Sequence, residues 1–205
     1  PLCTLMQLGI REILIITNKE FLTNYKNLLH DGSQWGIQIS YKVQLKPNGI
    51  AESFKIGKSF IKKDSVALIL GDNIFYGVDF DKIKLKKSSY VFAYQVNDPS
   101  RYGVIELKNN LIQSIIEKPK TPKSNLAVTG LYIYDNSVVD IASKIKPSKR
   151  NELEITDVNN EYLKLNKLKA IILKKGSVWL DAGTTTSLIQ ASQFVQTVQE
   201  RQKVQ

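Results

Sequence analysis

Residues 66 to 73 read Val66-Ala67-Leu68-Ile69-Leu70-Gly71-Asp72-Asn73. Five apolar residues running straight into Gly, Asp and Asn describe a short buried strand that stops at a turn. A strand of this kind belongs to a sheet covered on both faces. The segments upstream agree. Glu12–Thr17 (EILIIT) is a second short apolar run, and residues 37–44 alternate as a strand. Between them Phe21, Tyr25, Leu28 and Leu29 predict an amphipathic helix closing at His30-Asp31-Gly32. Residues 1–10 carry Leu2, Leu5, Met6 and Leu8 at loosely helical spacing, and Gly49 opens a helix bearing Ile50, Phe54, Ile56 and Phe60. Strands alternating with helices predict βαβ units and a mostly parallel sheet.

Downstream the pattern changes. Residues 90–96 read as a strand, and 102–107 with 112–117 as a hairpin turned on Asn109-Asn110, a pair that tolerates the positive φ of a tight turn. Residues 126–134 form another strand, and 138–145 a helix. A further helix spans 156–165, with Thr156 or Asp157 as its N-cap. Strands at 168–173 and 177–180 lead to Asp181-Ala182-Gly183. The last helix places Leu188, Ala191, Val195 and Val198 on one stripe, which must dock. The result is an α/β domain with an antiparallel insertion.

The 205 residues suffice for one sizeable core without staples. A single cysteine, Cys3, excludes an internal disulfide framework and reads as a small buried hydrophobe. No run approaches eighteen apolar residues and no basic-then-apolar leader opens the chain, so the expected setting is a reducing cytoplasm. The net charge of +10 invites an anionic partner. Only four of the 29 basic residues are arginine, however, and none of the lysines forms a block of five. A solvated lysine-rich surface accounts for this better than a nucleic-acid footprint.

Two carboxylates occupy matching places: Asp72 after VALIL and Asp181 after SVWL. Ligands of open α/β sheets sit beyond the carboxyl ends of strands, and Mg²⁺ takes one or two carboxylates with water and phosphate oxygens. The alternative is that each aspartate caps a turn. Glu117-Lys118-Pro119 is the second candidate. The proline biases Lys118 to an extended backbone, so Glu117 and Lys118 point apart, one suited to sugar hydroxyls and the other to a phosphate. A surface ion pair is the competing reading. Neither glycine-rich phosphate signature occurs, and Gly49 offers only backbone N–H groups at a helix start. His30, the one histidine, reads as a helix C-terminal cation, and Trp179 as core packing beside Asp181.

Seven strings occur in order: 31–36 (DGSQWG), 70–77 (LGDNIFYG), 97–104 (NDPSRYGV), 117–119 (EKP), 128–132 (VTGLY), 152–157 (ELEITD) and 179–184 (WLDAGT). The ordered set resembles the bacterial glucose-1-phosphate thymidylyltransferases, a branch of the sugar nucleotidylyltransferases, nearly end to end. The resemblance implies a Rossmann-like nucleotidyltransferase fold, its central sheet mostly parallel, with an antiparallel sugar-binding insertion. It implies that Gln44 and Gly49 meet the thymine base, and that Asp72 and Asp181 hold Mg²⁺. Tyr102, Gly103, Glu117, Val128, Thr129 and Gly130 would line the sugar pocket, with Lys118 at the sugar phosphate. The implied reaction converts dTTP and glucose 1-phosphate to dTDP-glucose and pyrophosphate, at the entry to dTDP-rhamnose. The implied assembly is a homo-oligomer, tetrameric in complete relatives, with no nucleic-acid or membrane partner.

The family opens with a strand and a GxGTRLxPxT loop that grips the triphosphate; this chain starts just after it, about 30 to 40 residues in. Many relatives also continue past the last helix, and Ile116 stands where the family commonly has a second Glu. The expectation is one domain over residues 1–205, incomplete at its N-terminus, and weakly active or inactive by itself. A remnant that only binds sugar nucleotides or subunits is the alternative.

Overall fold

The computed structural model describes residues 1–83 and 88–202. In chain order the elements are α1 (Leu2–Gln7), β1 (Glu12–Thr17), α2 (Leu22–Leu29), β2 (Gln38–Val43), α3 (Glu52–Ile56), α4 (Lys58–Ile61), β3 (Val66–Ile69) and β4 (Asn73–Tyr76). They continue with β5 (Ser89–Gln95), β6 (Gly103–Lys108), β7 (Leu111–Glu117), β8 (Leu126–Tyr134), α5 (Val138–Lys144), α6 (Ile155–Lys164), β9 (Leu168–Ile172), β10 (Val178–Asp181) and α7 (Thr185–Gln202).

The nine-residue β8 is the spine. Along one edge it pairs antiparallel with β5; along the other it pairs first with β6, at Ala127, and then with β3, from Leu131 to Tyr134. The second edge therefore forks, and residues 128–130 sit at the fork. Beyond β5 lies β9, parallel to it, and beyond β6 lies β7. β1 and β2 pair in parallel, and β4 pairs antiparallel with β10. Five of the seven pairings among the described residues are antiparallel. The sheet is thus more mixed than the mostly parallel one expected, because β8 runs against three of its neighbours.

Side-chain alternation along β5 fills two cores. Val91 and Ala93 face Phe54, Ile105, Tyr134, Val138 and Tyr162, while Phe92 faces Phe80, Leu131 and Trp179. A third cluster joins Leu5, Ile13, Ile37 and Ile39 to Ala67 and Ile69 of β3. Between β1 and β3 runs a groove of about 590 Å³, lined by both strands and reaching Gln44, Ile50 and Gly71.

The hairpin turn is as expected, with Asn109 at φ 51° and Asn110 at φ 61°. Other details differ. The helix after Gly49 begins only at Glu52 and breaks at Gly57, since Gly49 itself has φ 100° and belongs to the turn. Glu154, not Thr156 or Asp157, occupies the N-cap of α6. β4 is a strand the polar Gly-Asp-Asn start concealed. Cys3 is exposed, because α1 turns Thr4 and Leu5 inward instead. On α7 the docked residues are Ser187 and Ala191, with Phe194 against Tyr76, so Leu188 and Val195 face outward. α2 likewise buries no residue, and Phe21, Tyr25 and Leu28 are exposed. No helix among the described residues is long and apolar enough to cross a membrane.

Candidate functional site

Strand pairing brings the two aspartates together. β10 runs antiparallel to β4 with Asp181 opposite Asn73, and the Ala182 N–H donates to the Asp72 carbonyl at 2.8 Å. The chain leaves Asp181 through Gly183. A methyl group on Gly183 would lie 3.2 Å from Asp72 Oδ2 and 3.6 Å from Asp181 Oδ2, so glycine keeps open the space on which both carboxylates converge. Two hard oxygen donors beside an open space fit Mg²⁺, which fills its remaining positions with water and phosphate oxygens. Among the described residues no third His, Cys, Asp or Glu joins them.

Each carboxylate is oriented by neighbours. Asp72 Oδ1 accepts from Asn73 Nδ2 at 2.7 Å. Asp181 Oδ2 accepts from Arg101 Nη2 at 3.0 Å, and its Oδ1 from the Tyr102 hydroxyl, also at 3.0 Å. Burial, together with the Asp181 charge, pushes the Tyr102 hydroxyl up to about 12, so it stays protonated and donating. Asn73 is the hub beneath. It is 3 % exposed, and its Oδ1 accepts from Trp179 Nε1 at 2.6 Å and from the Gly130 N–H at 2.8 Å. Gly130 lies at the fork of β8, where the backbone is free to bond Asn73, and its carbonyl accepts from Leu70 N at 2.9 Å.

A second cluster gathers across the hairpin. Gly103 and Glu117 are opposite one another in the β6–β7 register. A side chain on Gly103 would meet Thr156 Oγ1 at 3.2 Å, Glu117 Oε2 at 3.4 Å and Val128 Cβ at 3.7 Å. The missing Cβ therefore leaves a recess floored by these three. Thr156 donates to Glu117 Oε2 at 2.5 Å, and Arg150 Nη2 stands 3.6 Å from Oε1 while bonding Glu154 at 2.8 Å. Val128 and Gly130 share this face of β8. Thr129 does not: it is fully buried on the opposite face, and its hydroxyl has no partner among the described residues.

Lys118 departs from the extended backbone expected before Pro119. Its φ is 42°, because its N–H extends the hairpin ladder by one bond to Tyr102 O at 3.0 Å before the chain turns away. The side chain is exposed, and its ammonium pairs with no carboxylate among the described residues.

At the end of β2, Gln44 Nε2 reaches the Gly49 carbonyl at 3.2 Å and Glu52 Oε2 at 2.7 Å. Gly49 cannot carry a side chain, since a Cβ there would lie 2.5 Å from Leu153 O. The 48–51 turn is stitched to the same residue, with Leu153 N to Asn48 O at 2.7 Å and Ala51 N to Leu153 O at 3.1 Å. Arg101, Asn73, Arg150 and Glu52 had no site role in the sequence reading, and Thr156 only that of a helix cap. Arg101, Asn73 and Thr156 do fall within the ordered strings 97–104, 70–77 and 152–157.

The nucleotidyl transferase family model matches residues 1–198. The glucose-1-phosphate thymidylyltransferase of Neisseria meningitidis serogroup A is 51% identical over 210 residues, covering 100% of this chain and 73% of that protein. That of Mycobacterium tuberculosis H37Rv is 47% identical, covering 98% and 72%. A crystal structure described as a glucose-1-phosphate thymidylyltransferase from Bacillus anthracis, in complex with sucrose, superposes with a TM-score of 0.87 at 40% identity, over 94% of this chain and 79% of that one. A UDP-glucose pyrophosphorylase complexed with UDP-glucose gives 0.80 at 27% identity, over 96% and 87%.

Proposed function

The chain belongs to the nucleotidyl transferase family, and from that premise we propose that it is built for thymidylyl transfer from dTTP to glucose 1-phosphate, yielding dTDP-glucose and pyrophosphate. The observation that carries the reading is the convergence of Asp72 and Asp181 on the space kept open by Gly183. These two residues would hold Mg²⁺, which supplies charge neutralisation to the transferring phosphates when bound.

The reaction is an in-line displacement. An oxygen of the sugar phosphate attacks the α-phosphorus as the bond to the pyrophosphate oxygen breaks, so the protein mainly positions two anions and offsets their repulsion. Lys118, exposed and without a carboxylate partner among the described residues, brings a positive charge to the sugar phosphate. In the recess under Gly103, Glu117 accepts from sugar hydroxyls, already oriented by Thr156. Val128 bounds the same recess, and Gly130, two residues further along β8, would extend the sugar pocket from it. Gln44 and Ile50, from the turn that Gly49 opens, line the groove proposed to take the base.

Incubation of the purified protein with dTTP, glucose 1-phosphate and Mg²⁺, followed by chromatography, tests the reading. Formation of dTDP-glucose, slow in this chain by itself and lost by more than about a hundredfold when Asp72→Asn or Asp181→Asn is made in a relative that carries the N-terminal loop, is the expected result. Wild-type turnover in either variant overturns the assignment of these carboxylates. Calorimetry with dTDP-glucose tests the binding site separately from turnover.

A further inference from the structure

Glu52 lies in the first turn of α3 and accepts from two side-chain amides at once. Its Oε2 takes Gln44 Nε2 at 2.7 Å, and its Oε1 takes Asn48 Nδ2 at 2.8 Å. An ionised carboxylate only accepts, so both amides must present their NH₂ groups to it. The choice between the two orientations of Gln44 is thereby made by chemistry. The Gly49 carbonyl, 3.2 Å from the same Nε2, takes a second bond. Both hydrogens of Gln44 are then engaged within the protein. Its Oε1 meets no donor among the described residues, and the residue lines the groove together with Ile50 and Gly71.

An acceptor fixed at the wall of the groove discriminates between bases. Thymine and uracil carry a ring N–H at N3, a donor. Cytosine carries an unprotonated N3, an acceptor, and would set two acceptors face to face. We propose that Glu52 is a positioning residue that locks Gln44 as a hydrogen-bond acceptor, and so selects nucleotides whose pyrimidine ring presents an N–H. This inference rests on the reading of Gln44 as a base contact and adds to it the residue that sets the direction of that contact. Without Glu52 only the longer bond to the Gly49 carbonyl holds the Gln44 amide, which turns over more readily, its NH₂ group then offering a donor that suits cytosine.

The test compares dTDP with dCDP by calorimetry, two ligands that differ only in the base. The wild-type protein is expected to prefer dTDP by about a hundredfold, the scale of a polar group that one ligand satisfies and the other leaves unpaired. In Glu52→Ala the dTDP-to-dCDP affinity ratio is expected to fall about tenfold, chiefly through weaker dTDP binding. Glu52→Gln, which keeps one acceptor oxygen for Gln44, is expected to retain most of the ratio. A wild-type protein that binds both ligands equally overturns the proposal without any variant. An unchanged ratio in a folded Glu52→Ala protein overturns the role of Glu52, while Gln44→Ala reports on the base contact itself. Loss of dTDP affinity in Gln44→Ala alone leaves that contact standing and removes only Glu52; no loss in Gln44→Ala removes both.

Discussion

Arg101 and Asp181 are joined by a 3.0 Å ion pair, on the carboxylate proposed to serve as half of a divalent-cation site. The guanidinium also lies over the Tyr102 ring, 5.4 Å from its centre. A monovalent positive charge thus sits where the neighbouring anion would otherwise attract a cation from solution.

Removing that charge has a predictable direction. In Arg101→Ala the proposed cation site becomes more negative, and affinity for Mn²⁺ should rise. For a pair this exposed the gain is about 1 kcal/mol, roughly fivefold. A Mn²⁺ titration followed by electron paramagnetic resonance checks it, with Arg101→Lys as the charge-preserving control. Weaker binding in Arg101→Ala would show that orienting Asp181 outweighs competing for it.

Asn73 provides a stability test. Asn73→Ala leaves the Trp179 indole N–H and the Gly130 N–H buried without an acceptor. The expected cost is about 3 kcal/mol, which for a chain of this size lowers Tm by about 10 °C. Gly130→Ala attacks the same junction by crowding, because its Cβ would stand 2.6 Å from the Asn73 side chain. Thermal melting of both variants measures the effect, and a melt within 2 °C of wild type, about 0.6 kcal/mol on this scale, refutes it.

The tyrosines set an alkaline limit. Tyr102 is pushed up to about 12, and burial raises Tyr132, Tyr134 and Tyr162 as well. An unfolded tyrosine releases its proton near pH 10. Between about pH 10 and 12 the unfolded chain therefore holds fewer protons than the folded one, and stability falls as pH rises. This contribution is complete below about pH 10. Urea midpoints measured across that window should drop steadily, and less steeply in Tyr102→Phe.

The hairpin turn can be improved. Asn110 has φ 61°, a conformation glycine adopts without a Cβ penalty, and Asn-Gly is a preferred pair for such turns. Asn110→Gly should leave the fold intact and raise stability by about 0.5 kcal/mol, within reach of a denaturant titration.

Much of this was legible because apolar periodicity is local. EILIIT, VALIL and residues 126–134 declared themselves as strands, and the Asn109-Asn110 turn announced its hairpin. What sequence concealed was set at a distance. NIFY carries three strand-favouring residues, but four residues after a Gly-Asp turn are too few to declare a strand, and its partner β10 lies far along the chain. Lys118 takes φ 42° because of a bond to Tyr102, against the local bias of the following proline. Within the site, the acidic pair was visible from its place after two apolar strands. Arg101, Arg150 and Glu52 were not, since a lone charged residue in a loop or helix reads as surface until its partners are known.

The pairing of β4 with β10 also orders events in time. Asn73 and Trp179 are 106 residues apart along the chain, and their contact is what brings Asp72 and Asp181 to one place. During synthesis the first aspartate leaves the ribosome long before the second exists. The hairpin and the β8 spine can form meanwhile, but the acidic pair closes only when the last strand arrives. A nascent chain that has passed Asp72 but not yet reached Asp181 therefore carries half of the acidic pair and none of its converged geometry.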